Sequence, residues 1–205
     1  MTEKIRQYHV PRRKTRINFS ERGSKFIADL IPAADIAVAR EHLEAMRTAF
    51  PDATHHPFAL RVGFGRNLKE RSSDDREPAG TAGTPMLQFL QHKNISDVSL
   101  VAIRYFGGTK LGIGGLTRAY RNCARLSLEA TELIIREPLE KYCLHFKYEE
   151  IGPVTRFVEG LNGRIVTADY SDTVKLIVEI PAHCGRELIE GFKAVCRGGG
   201  SCSVY

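Results

Sequence analysis

Apolar and polar positions alternate at two periods along this chain, and the switches between them predict its elements. Residues 15–20 and 24–30 are rich in β-favouring side chains and flank Glu21-Arg22-Gly23, which predicts a hairpin. Over residues 33–50, Ile36, Ala39, Leu43, Met46 and Phe50 fall at helical spacing before Pro51. Residues 57–63 alternate, with Phe58, Leu60 and Val62 on one face of an expected strand. Residues 67–83 are polar and turn-rich, and read as a long connection without structure of its own, mobile until a ligand orders it. Thr84-Pro85 has the form of an N-cap and first helical residue for a helix through Met86, Leu87 and Leu90. Residues 97–106 form an apolar strand interrupted near its end by Arg104, and a glycine-rich turn leads into a helix over 116–130.

Glu137-Pro138 interrupts this pattern, so two domains are expected, over residues 1–137 and 139–205. In the second, strands at 142–148, 164–168 and 174–180 alternate with helices opening at Gly152-Pro153 and covering 186–195, and a last short strand falls at 202–205. That order, β-α-β-β-α-β, is the ferredoxin-like split βαβ arrangement.

The 205 residues are 42% hydrophobic and 26% charged, ordinary for a globular chain and unlike a disordered or collagen-like one. No apolar run approaches the roughly 20 residues of a membrane-spanning helix. The charged start lacks the apolar stretch of a secretory signal, so no membrane partner and a cytoplasmic location are expected. The net charge is +6, and residues 1–25, with eight basic and two acidic side chains, account for all of it. That segment reads as a basic arm suited to phosphate or as a solvated terminus. The five cysteines are odd in number and include no CxxC, which points to reduced thiols with no disulfide and no metal site. His183-Cys184 has nothing nearby to orient it as a catalytic dyad, and His55-His56 reads as a half-exposed polar pair at a strand start.

Two segments carry candidate chemistry. The first runs Arg104-Tyr-Phe-Gly-Gly-Thr-Lys-Leu-Gly-Ile-Gly-Gly-Leu-Thr-Arg-Ala-Tyr120. Gly107, Gly108, Gly112, Gly114 and Gly115 let backbone N–H groups approach a ligand, the helix start adds free donors, and Lys110 sits in the turn. No acidic residue occurs between Asp97 and Glu129, whereas Arg104, Lys110, Arg118, Arg121 and Arg125 do. At 100° per residue the last three arginines share one helix face, opposite Leu116, Tyr120 and Cys123. This is the physics of an anion or nucleic-acid site, without a Walker A or Rossmann fingerprint. In the second segment, Ser73, Asp74, Asp75 and Glu77 form a possible loop site, for Mg²⁺ or acid–base chemistry or simply for turn and cap hydrogen bonds.

Four motifs, Ser24-Lys-Phe-Ile-Ala28, Asp52-Ala-Thr-His55, Ser72-Ser-Asp-Asp-Arg-Glu-Pro-Ala-Gly-Thr-Ala-Gly83 and the glycine-rich Arg104 to Tyr120 segment, together resemble the IMPACT/YigZ family over about residues 20–130. The chain departs from the family pattern at His56-Pro-Phe-Ala-Leu60 and at Arg76, where Asp-Asp-Gly-Glu-Pro is usual. The resemblance implies an α+β protein, with an N-terminal domain similar to the second domain of ribosomal protein S5. It also implies a ferredoxin-like C-terminal domain similar to the last domain of elongation factor G. It further implies a link to translation or RNA. The resulting expectation is an RNA- or ribosome-binding protein with a regulatory role in translation, without catalysis, cofactor or metal. An enzyme or binder for a phosphorylated small molecule at the glycine-rich turn, and a module binding an acidic protein partner, stay open beside it. The oligomeric state is not readable from the sequence.

Overall fold

The computed structural model describes residues 7–205. It divides into two compact units, one over Tyr8–Arg136 and the other over Glu137–Tyr205 with Gln7. The first unit contains β1 (Tyr8–Pro11), β2 (Thr15–Glu21), β3 (Ser24–Pro32), α1 (Ile36–Ala49), β4 (Phe58–Val62), β5 (Lys69–Ser73), α2 (Gly83–His92), β6 (Val98–Tyr105), α3 (Gly112–Glu129) and β7 (Leu133–Arg136). Its main sheet is antiparallel in the order β2-β3-β6-β4-β5. The predicted hairpin closes through Arg22 (φ +46) and Gly23 (φ +81), a turn whose two positive φ angles suit the right-handed twist of the strands.

Both faces of the sheet are covered, which is why β6 reads as one apolar run rather than an alternation. Val101 and Ile103 pack on Met46 of α1, and Leu60 and Val62 on Ala39. On the other face Phe26, Ala28, Leu100 and Ala102 meet Met86 and Leu90 of α2 and Leu116 and Tyr120 of α3.

A polar tie crosses the α1 face. His42 Nε2 lies 2.9 Å from Asp29 Oδ1, and its Nδ1 lies 2.9 Å from Ser99 Oγ. The order of residues is that of a hydrolytic triad, but Ser99 is 1% exposed and sealed between sheet and helix, so no substrate reaches it. Burial alone would raise the Asp29 carboxyl. Hydrogen bonds from His42 and Arg16, with the charges of Arg16 and Lys14, outweigh it and hold the group below the ordinary value. A depressed folded-state pKa stabilises above the unfolded value and is lost as the pH falls through the folded one. Asp29→Asn is therefore expected to be less stable at pH 7 and to lose less stability than wild type below about pH 4. Urea melts at successive pH values test this; parallel acid limbs would place the acid-labile group elsewhere.

Three strands leave no periodic signal in the sequence. β1 pairs antiparallel with β7, Tyr8 opposite Arg136 and Pro11 opposite Leu133, and each has only four residues. They are too short to show a period. The Tyr8 hydroxyl (2.8 Å) and Arg136 (3.0 Å) both donate to Asp97 at the head of β6. The described part of the segment read as a basic arm or a solvated terminus is thus largely strand, with Arg12 paired to Glu132 and Lys14 and Arg16 paired to Asp29. Glu3, Lys4 and Arg6 lie outside the described residues. β5 corrects the expectation that 67–83 is structureless. Its sequence, KERSS, has no apolar position, yet it completes the sheet edge beside β4, and Glu70 takes a 2.6 Å bond from buried Arg61.

The second unit runs β8 (Leu139–Phe146), α4 (Ile151–Gly160), β9 (Arg164–Tyr170), β10 (Val174–Pro181), α5 (Gly185–Val195) and β11 (Ser201–Val204). Its antiparallel sheet has the order β11-β8-β10-β9, and Leu144, Leu176 and Val178 pack against Val154 and Val158 of α4 and Leu188 and Phe192 of α5. The chain is a mixed α and β protein with antiparallel sheets. Among the described residues, no helix is long and apolar enough to cross a membrane.

Candidate functional site

β6 turns Arg104 inward. Its Nη1 donates to Glu77 Oε1 at 2.6 Å and its Nη2 to Ser24 Oγ at 3.2 Å. The Tyr120 hydroxyl from α3 donates to the same Glu77 oxygen at 2.7 Å, and His55 Nε2 stands 3.8 Å from it. Burial, then the bond to Glu77 and its charge, push the Tyr120 phenol far above its ordinary value, so it stays a neutral donor. The four motifs, widely separated in sequence, thus meet around one buried ion pair, that of Glu77 and Arg104. Arg104, expected on the anion surface, is instead the counter-ion of Glu77 and is only 5% exposed.

The acidic loop does not gather its carboxylates. Asp74 accepts the N–H groups of Gly80 (2.7 Å), Ala82 (2.9 Å) and Gly83 (2.8 Å), so it caps α2, the role expected of Thr84. Asp75 Oδ2 accepts the His56 N–H at 2.6 Å, its carbonyl bonds His55 Nδ1 at 2.8 Å, and its own N–H goes to Ser73 Oγ at 3.2 Å. These bonds join the loop to His55, His56 and the start of α2. His56 is buried rather than half-exposed. Arg76 takes a left-handed φ of +69, a conformation that favours glycine. Among the described residues no group of three or more His, Cys, Asp or Glu side chains could hold a metal ion.

The glycine-rich turn answers two demands. A Cβ at Gly107 would collide with the Gly23 carbonyl, so Gly107 is required where the hairpin turn touches the end of β6. Gly108 (φ +83) and Gly112 (φ +73) supply left-handed backbone and are exposed, as is Lys110. α3 starts four residues earlier than the sequence suggests, so Gly112, Gly114 and Gly115 belong to its first turn. No side-chain cap hydrogen bond closes that turn, and Lys110 and Ile113, next to it in sequence, are exposed.

Arg118, Arg121 and Arg125 lie on one face of α3, opposite the buried Leu116, Tyr120 and Cys123, as the periodicity predicts. They are not equivalent. Arg125 bonds both oxygens of Glu129 at 2.8 Å and Asn122 Oδ1 at 2.7 and 3.0 Å. The Arg121 guanidinium lies 5.8 Å over the Phe89 ring. These arginines line an open cavity of about 340 Å³ with Glu21, Phe89 and Asn122. Glu21 and Phe89 come from the hairpin and α2, and nothing in the sequence links them to the arginines.

The Impact N-terminal domain matches residues 22–128, over half of the chain. The chain is 34% identical over 160 residues to the IMPACT family member YigZ of Escherichia coli, covering 78% of each protein. It is 33% identical over 191 residues to an IMPACT family member of Haemophilus influenzae, covering 92% of this chain and 90% of the relative. A crystal structure of a hypothetical protein, 29% identical, matches with a TM-score of 0.68 and 98% coverage of both chains. The chain belongs to the IMPACT family.

Proposed function

We propose that this protein binds RNA or the ribosome in a regulatory role in translation, in the cytoplasm and without catalysis. The observation that carries the reading is the arginine face of α3, continued at its start by uncapped N–H groups and Lys110. Arg118 and Arg125 are seven residues apart, so the row extends about 10 Å along the helix. Guanidiniums grip phosphate oxygens bidentately, and a row of them suits a polyanion better than one compact phosphate. A binding role is also favoured by the closure of Glu77, Arg104 and Tyr120 from solvent. In this reading residues 1–137 form a domain similar to the second domain of ribosomal protein S5, and residues 139–205 a ferredoxin-like domain. The test is co-sedimentation of the purified protein with ribosomes and total RNA, with and without nuclease. Nuclease-sensitive co-sedimentation is expected. Capture of a protein partner that survives nuclease, or no sedimentation beside tight binding of a small phosphate ester, would replace it.

A further inference from the structure

The cavity on the α3 face holds one acidic side chain among three guanidiniums. Arg125 turns to Glu129 and Asn122, and Arg121 lies on Phe89. Among the described residues, Glu21 forms no ion pair with any of them. Its carboxylate keeps its capacity to accept, at the wall of a basic cavity. Negative charge for the arginines, a flat ring for Arg121 and hydrogen-bond donors for Glu21 are the features of a ligand that would suit this space.

We propose that this cavity seats a single unpaired guanosine of a bound RNA strand, with its Watson–Crick edge on Glu21 and its ring on Arg121. The inference rests on the RNA-binding reading above and names what the site selects. Guanine carries two adjacent donors on that edge, N1–H and the N2 amino group, which match the two oxygens of one carboxylate. Adenine and cytosine put a ring acceptor beside their amino group, and uracil flanks its single N–H with carbonyls, so each turns a lone pair toward Glu21. A base pairs its edge in a duplex, so only an unpaired one can be read this way. The Arg121 guanidinium, held over Phe89 at 5.8 Å, is a platform of the kind on which bases stack. Asn122 spends its oxygen on Arg125 and keeps its amide donors for guanine O6. Arg118 and Arg125 supply the charge for the flanking phosphates.

The test measures binding of nine-residue oligouridines with one central guanosine, inosine or adenosine, to wild type and to Glu21→Gln, with free GMP as competitor. Wild type is expected to prefer guanosine to adenosine by about tenfold or more, with inosine, which lacks the N2 amino group, between them. Glu21→Gln is expected to remove the preference and keep strand binding, because an amide offers one acceptor and no charge. Equal binding of all three strands with normal salt dependence would overturn the guanosine site and leave the RNA reading standing. No binding of any strand would overturn both. GMP that binds as tightly as the strand would overturn the strand as the source of the guanine.

Discussion

Glu77→Ala is expected to lower the unfolding free energy by about 3–5 kcal/mol, the cost of leaving a buried charge without its partner. Glu77 is the acceptor for both Arg104 and Tyr120, and the side chains of Glu77 and Arg104 are 3% and 6% exposed. Removing the carboxylate strands a guanidinium in the core and a phenol that burial keeps from ionising. Ser24 and the ring of Phe26 remain around Arg104, and neither carries a compensating charge. Removing both charged partners should cost less than the sum of the two single substitutions. A double-mutant cycle with Arg104→Ala reads this directly in urea melts, with an expected coupling of about 1–3 kcal/mol. Additivity within about 0.5 kcal/mol would mean that the two side chains act independently.

Much of the fold is legible in the sequence where apolar periodicity has a buried face to report. α1, β6 and the buried face of α3 follow their patterns because each packs on a continuous apolar core. β1, β5 and β7 are not legible, since edge strands and four-residue ladders are held by backbone bonds and by ties such as Asp97 to Tyr8 and Arg136. At the candidate site the arginine face is readable, because Arg118, Arg121 and Arg125 share one helix. The fate of Arg104 is not, because its partner Glu77 lies 27 residues away in a polar loop. The same holds for Glu21, which reaches the cavity from the hairpin, where the turn closes on Gly107. The glycine spacing suggests one anion cradle, whereas Gly107 answers backbone packing and Gly108 and Gly112 answer backbone conformation.

The second large effect is expected at the arginine face. Arg118→Ala and Arg121→Ala should each weaken RNA binding by about 1 kcal/mol or more. Arg125→Ala should cost less, because its guanidinium is already shared with Glu129 and Asn122. Folding should survive in all three, since the replaced side chains lie on the outer face and the packed face of α3 is untouched. The most direct measurement is the dependence of RNA affinity on salt for wild type and the triple alanine variant. The slope of log K against log salt should become shallower by roughly one for each phosphate that an arginine no longer neutralises. A triple variant that folds and binds RNA with wild-type affinity and slope would contradict the account, leaving the arginine row as a solvated helix face.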